Sequence, residues 1–233
     1  MIVMDADKMI KIIAPVAAVA DGEPITIDSD GVKMRIKSVN EARVHTIQAT
    51  VDIKSEPVLI HLDPENLMNA LKDLSNEGNL KAEYDDAECK LILTGKSGKR
   101  SMRTIAIDKE IKMPKLVDMD AGEVSLAFLG HIPMLSKIDE TVTITTNRCK
   151  IYMEIHSNTE EAVHWADIEI TPETVNMYPA GIISDLVSKI KLDKEPEGDE
   201  APMIKIHLRD EYPMKLEWSY EGVEYEYYVA PRL

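Results

Sequence analysis

The sequence predicts an α+β fold made of two tandem copies of one unit, each with helices on one face of antiparallel sheet. Three observations predict it. An order of alternating strands in the first half returns in the second, an apolar helical segment precedes it each time, and each half closes on a strand meander.

The first copy opens with a helical segment over 5–20, rich in Ala, Ile and Val. The alternating strand ITID from Ile25 follows, then a turn at Ser29-Asp30-Gly31, VKMRI, and VHTIQATV from Val44. The second copy opens at 125–138 and continues with VTIT from Val142, a turn at Thr146-Asn147-Arg148, CKIYMEI, and VHWADIEI from Val163. The first strands are 117 residues apart and the last 119, so the copies differ only by loop slippage. Each opening helix holds a proline, Pro15 and Pro133, that is expected to kink or shorten it. A second, short helix begins at Pro64 in one half and Pro179 in the other, with stripes Leu67, Leu71, Leu74 and Ile182, Leu186, Ile190. LKAEY, CKLILTG and KRSMRTIAI end the first half, and MIKIHL, PMKLEWSY and YEYYVAP the second. The domains are thus expected at 1–107 and 124–233, joined by a charged linker at 108–123. The acidic, proline-punctuated stretch 193–202 reads as a mobile surface loop.

Composition is that of a globular protein, with 44% hydrophobic and 30% charged residues. The longest apolar run, near Ile12–Ala20, is too short to span a membrane, and no signal peptide is legible, so a cytoplasmic place is expected. Cys89 and Cys149 then read as free thiols on strands.

Catalytic and metal chemistry find little footing. His45, His61, His131, His156, His164 and His207 show no metal-ligand spacing. Asp85-Asp86 reads as a hairpin turn, and Gly95-Lys-Ser-Gly-Lys99 lacks the glycine spacing of a phosphate loop. Trp165 and Trp218 need only packing roles. No cofactor and no metal is implied.

The C-terminal run Glu211-Tyr-Pro-Met-Lys-Leu-Glu-Trp218 and the tail Tyr225-Glu-Tyr-Tyr-Val-Ala-Pro-Arg232, together with the length and the duplication, resemble the PCNA-type DNA sliding clamps. The resemblance implies the DNA-clamp fold. Two-domain subunits close as a homotrimer into a ring, with helices lining the hole and sheets forming the outer wall. It implies a non-catalytic processivity factor that encircles duplex DNA without reading sequence. DNA polymerase, clamp loader, nuclease and ligase would dock on it through short hydrophobic peptides. The alternatives are a clamp paralogue in a heterotrimeric or checkpoint-type ring, and an enzyme on a duplicated α+β scaffold.

A net charge of −15 argues against nucleic acid, because phosphate neutralisation dominates DNA affinity. The four helical segments nevertheless hold six lysines, Lys8, Lys11, Lys72, Lys137, Lys189 and Lys191, against five acids, so the acid excess lies outside them. Those lysines, with Asn69, Ser184 and Ser188, are the candidate DNA-facing residues. The resemblance places the partner-peptide pocket at Val44, Thr46, Met113, Leu116, Pro213, Val229, Ala230 and Pro231. Ring closure needs two edge strands, for which the candidates are 99–107, with Arg100, Met102 and Arg103, and 149–155, with Cys149, Ile151 and Met153.

Overall fold

The computed structural model describes residues 2–42, 44–106, 111–115, 119–147, 149–170, 173–193 and 202–232. The chain forms two compact units, Met1–Met113 with Gly222–Glu224, and Pro114–Glu221 with Tyr225–Leu233.

The first unit runs β1 (Ile2–Asp5), α1 (Ala6–Ala20), β2 (Ile25–Ser29), β3 (Lys33–Val39), β4 (His45–Asp52), β5 (Val58–Leu62), α2 (Pro64–Asp73), β6 (Asn79–Asp85), β7 (Lys90–Thr94) and β8 (Lys99–Arg103). Its strands form two sheets, ordered β1-β6-β7-β8 and β5-β2-β3-β4. The second unit runs β9 (Asp120–Ser125), α3 (Leu126–Leu129), α4 (Ile132–Leu135), β10 (Thr141–Asn147), β11 (Lys150–His156), β12 (Glu161–Asp167), β13 (Thr174–Pro179), α5 (Ala180–Val187), β14 (Met203–Leu208), β15 (Met214–Tyr220) and β16 (Val223–Val229). Its strands follow the orders β9-β14-β15-β16 and β13-β10-β11-β12. Every strand therefore has a counterpart eight places on in the same sheet position, which makes the duplication explicit in topology. Registers repeat as well: Ile27 faces Ile60 across β2 and β5, and Ile144 faces Asn176 across β10 and β13. Each unit also ends alike. The Ile105 N–H donates to the His61 carbonyl and the Arg232 N–H to the Met177 carbonyl, both at 2.8 Å, fastening the chain after the last strand onto β5 or β13.

Local chemistry explains the helices. Asp5 caps α1 by accepting the Lys8 N–H at 3.0 Å, and Asp63 caps α2 by accepting the Asn66 N–H at 2.7 Å. Met9, Ile12, Ile13, Val16, Val19 and Ala20 form the buried stripe of α1. That burial carries the helix past Pro15, which lacks an N–H but sits packed in the interior, so α1 is one continuous element. Asp21, at φ 48°, stops it.

The opening helix of the second unit differs from expectation. It is two short helices broken at Gly130-His131, and Pro133 stands in the first turn of α4, where its missing N–H costs nothing. Pro179 likewise ends β13 and precedes α5, whose buried residues are Ala180, Ile183, Leu186 and Val187, with Ile190 beyond its end; Ile182 is only half-buried. Four short strands, β1, β5, β9 and β13, were not expected. Asp120–Glu123, assigned to the linker by sequence, pair with β14. The glycine there is required because a Cβ on Gly122 would stand 2.5 Å from Ile168 Cγ1. The cysteines sit in turns rather than on strands, and both are exposed. Most of 193–202 lies outside the described residues.

Candidate nucleic-acid interface and assembly edges

Helices pack in pairs, α1 on α2 in the first unit and α4 on α5 in the second. Their buried stripes turn the opposite faces outward, and the candidate DNA-facing residues sit there. Lys11, Asn69, Lys72, Lys137, Ser188, Lys189 and Lys191 are exposed, and Lys8 and Ser184 half-buried. The helices themselves carry three lysines and four acids, Asp7, Glu65, Asp73 and Asp185. The other three lysines follow the ends of α4 and α5. Such a surface offers scattered point contacts to phosphate rather than a binding groove.

The edge strands carry more information. β8 ends its sheet, as expected of 99–107, of which Ile107 lies outside the described residues. The other expected edge, 149–155, is corrected. β11 lies between β10 and β12, paired on both sides, and Ile151 and Met153 are 0% exposed core residues. The true edge is β12. The error has a physical source, since alternation reports that a strand has two faces and not which strands flank it.

The two edges are unlike. Side chains alternate in β8, so Lys99, Ser101 and Arg103 share one face, while Arg100 and Met102 share the other, where Arg100 bonds Asp73 at 2.6 Å. In β12, Glu161, Val163, Trp165 and Asp167 share the exposed face and Ala162, His164 and Ala166 the covered one. β8 carries three positive charges and no acid; β12 carries two acids and no Lys or Arg. Trp165 is 62% exposed and Val163 38% exposed, so Trp165 is not the packing residue expected of it. Trp218 is one, stacked on Tyr225 with ring centroids 4.8 Å apart. On the covered face of β12, the His164 ring stacks on His131 at 3.9 Å. Burial, then the neighbouring His131, holds the His164 imidazole below its ordinary value.

Of the partner-pocket residues, Val44, Thr46 and Met113 belong to the first unit and Pro213, Val229, Ala230 and Pro231 to the second, while Leu116 lies outside the described residues. Val229 is fully buried and Thr46 nearly so; Val44, Met113, Pro213, Ala230 and Pro231 keep part of their surface. The tail is anchored within its own unit, where Arg232 donates through Nη1 to Thr141 Oγ1 at 2.8 Å and lies near Glu140.

Among the described residues no three metal-ligating side chains cluster. The Gly-Lys-Ser turn is a hairpin closed by Gly95 N–H on the Gly98 carbonyl, and the Glu77 carboxylate takes the Ser97 N–H at 2.8 Å. An acid occupies the place where a phosphate loop would hold its anion. The Asp85 side chain likewise accepts the Glu88 N–H within its own turn.

No protein-family model matches the sequence, and no curated protein matches it. Solved structures do match the fold across the whole chain. Proliferating cellular nuclear antigen of Entamoeba histolytica superposes with a TM-score of 0.83 at 15% identity, over 98% of this chain and 96% of that one. PCNA of A. fulgidus, in a structure with the C-terminal region of FEN-1 bound, gives 0.82 at 19% identity, over 100% and 98%. PCNA of Thermococcus kodakaraensis gives 0.81 at 15% identity, over 99% of both chains. The chain has the PCNA fold. Among the described residues no helix is long and apolar enough to cross a membrane.

Proposed function

We propose that this chain is a sliding-clamp subunit. In this reading three copies close into a ring around duplex DNA and tether polymerase, nuclease and other replication and repair proteins without performing chemistry themselves. One observation carries the reading: two edge strands of opposite charge, β8 and β12, stand in the two copies of a duplicated unit. An edge that exposes Trp165 and Val163, with no proline or inward charge to blunt it, is a template for pairing with another chain. Because β8 and β12 belong to different halves of one chain, the contact between copies is heterologous, and such contacts close into rings when the rotation permits. Antiparallel pairing can set Arg103 opposite Glu161 or Lys99 opposite Asp167. In either register the other charge pair stands on the diagonal, still within reach.

Helix faces with sparse lysines and small polar residues suit a ring that slides. Tight phosphate contacts would act as brakes, whereas an acidic exterior and a near-neutral lining leave the duplex free to move. The partner-peptide pocket that the resemblance implies is part of the same proposal; apolar anchors there would supply affinity.

Topological holding has a specific signature. The purified chain is threaded onto linear duplex from its free ends, both ends are blocked with a bulky protein, and the complex is diluted into high salt. Retention is expected to persist until a restriction cut opens an end, and then to be lost. Release that is equally fast with and without the cut contradicts encirclement.

A further inference from the structure

We propose that the first unit binds a small apolar cation, an amine with an aliphatic or aromatic body, in the gap between its two sheets. The inference goes beyond the sliding-clamp reading and does not rest on it. A cavity of about 480 Å³ opens there, within the size range of small-molecule sites, roughly 300–1,000 Å³. Its walls are hydrocarbon and thioether from three layers of the unit: Met9 and Ile13 of α1, Met34 and Ile36 of β3, Leu67 of α2 and Leu91 of β7. Two charged residues line it, Glu56 and Asp86, both acidic and both exposed, with Ser55 and Tyr84 among its other polar groups. An apolar body with a positive head satisfies both parts of that lining, and an anion satisfies only one.

The duplication supplies an internal control. At the register position of Ile60 in β5, the second unit has Asn176 in β13. Asn176 Nδ2 donates to the Arg209 carbonyl at 3.1 Å and its Oδ1 accepts the Glu211 N–H at 2.9 Å. Tyr178 adds a hydroxyl bond to the Tyr212 carbonyl at 3.2 Å. Together they tie β13 to the turn between β14 and β15. The matching turn of the first unit, between β6 and β7, bonds to itself through Glu88 and to the segment after β8 through Cys89. Ile60 has no polar atom in its side chain with which to tie it to β5. One copy thus ties this strand to the facing turn through an amide, and the other, with hydrocarbon at that position, has an apolar-walled gap beside it.

The test uses the full chain with methyl-labelled methionine, titrated by NMR with phenethylammonium and with its anionic counterpart 3-phenylpropionate. The Met9 and Met34 methyl signals are expected to shift saturably with one amine per chain, with an affinity at least about fivefold above that of the anion, as contacts to partly exposed charges allow. Glu56→Gln with Asp86→Asn, both at exposed positions, is expected to abolish that preference while leaving the fold intact. Ala82→Phe, which fills the cavity, is expected to abolish the shifts. The proposal is overturned by absence of saturable shifts at Met9 and Met34, by equal binding of amine and anion to the native chain, or by a preference that survives the Gln/Asn pair. None of these outcomes depends on whether the chain forms a ring.

Discussion

Replacing Lys99 and Arg103 by glutamate is expected to reduce the particle from about 79 kDa, three times the 26.2 kDa chain, to the monomer mass. Both side chains project from an exposed edge and make no core contact, so folding should be untouched. In the proposed ring they stand beside Glu161 and Asp167. Each exposed pair stabilises by roughly 0.2–1 kcal/mol, and reversal replaces attraction by repulsion of similar size. Two reversed pairs thus shift the interface by about 1–4 kcal/mol, roughly fivefold to several-hundredfold in dissociation constant. Adding Glu161→Lys and Asp167→Lys to the same chain should restore assembly, because the charges are then exchanged rather than removed. Light scattering after gel filtration reads both results. An unchanged mass in the first variant, or no recovery in the second, would rule these edges out as the interface.

Mild acid is the second strong lever. His45, at the start of β4, is 4% exposed, and burial lowers its pKa from 6.5 to about 4 despite the opposing pull of Asp21. The folded chain therefore binds this proton less readily than the unfolded chain. Its contribution to stability is fully present above pH 6.5 and is lost as pH falls from 6.5 toward 4. That gap, at roughly 1.4 kcal/mol per pH unit, amounts to about 3 kcal/mol. His61, buried beside Thr26 and bonded to it at 2.9 Å, is also held down and acts in the same direction. Held-down carboxylates such as Glu217 act below about pH 4.5, so the slope between pH 6.5 and 5 isolates the histidines. Urea midpoints should fall across that window, and His45→Gln should flatten most of the fall. A midpoint constant from pH 7 to 5 would show that His45 is not buried neutral.

Much of the fold was legible because both strand and helix periods are written in apolar spacing. ITID, VKMRI and VHTIQATV alternate, their counterparts return 117–119 residues on, and Leu67, Leu71 and Leu74 form the helix stripe they predict. What escaped was set by pairing. β1 is four residues long and runs directly into α1, and β9 reads as charged linker because Asp120, Gly122 and Glu123 gain their place from β14 and from the close approach of Ile168. Pro133 was placed correctly in a helical segment, but whether a proline sits in mid-helix or in a first turn depends on where the preceding turn breaks. The edges show the same limit: β8 was found, whereas β11 was mistaken for an edge because strand order is a tertiary fact. The exposure of Trp165 follows from that order and had no signal of its own in the sequence.

In the proposed ring, two copies of one helix-backed unit per chain complete a closed wall when chains meet edge to edge. Electron-microscope images of the purified particle, at the concentration where its mass is measured, test it most directly. Three-fold annuli with a central hole wide enough to admit duplex DNA are expected. Compact particles without a hole, or open filaments of any length, would contradict it.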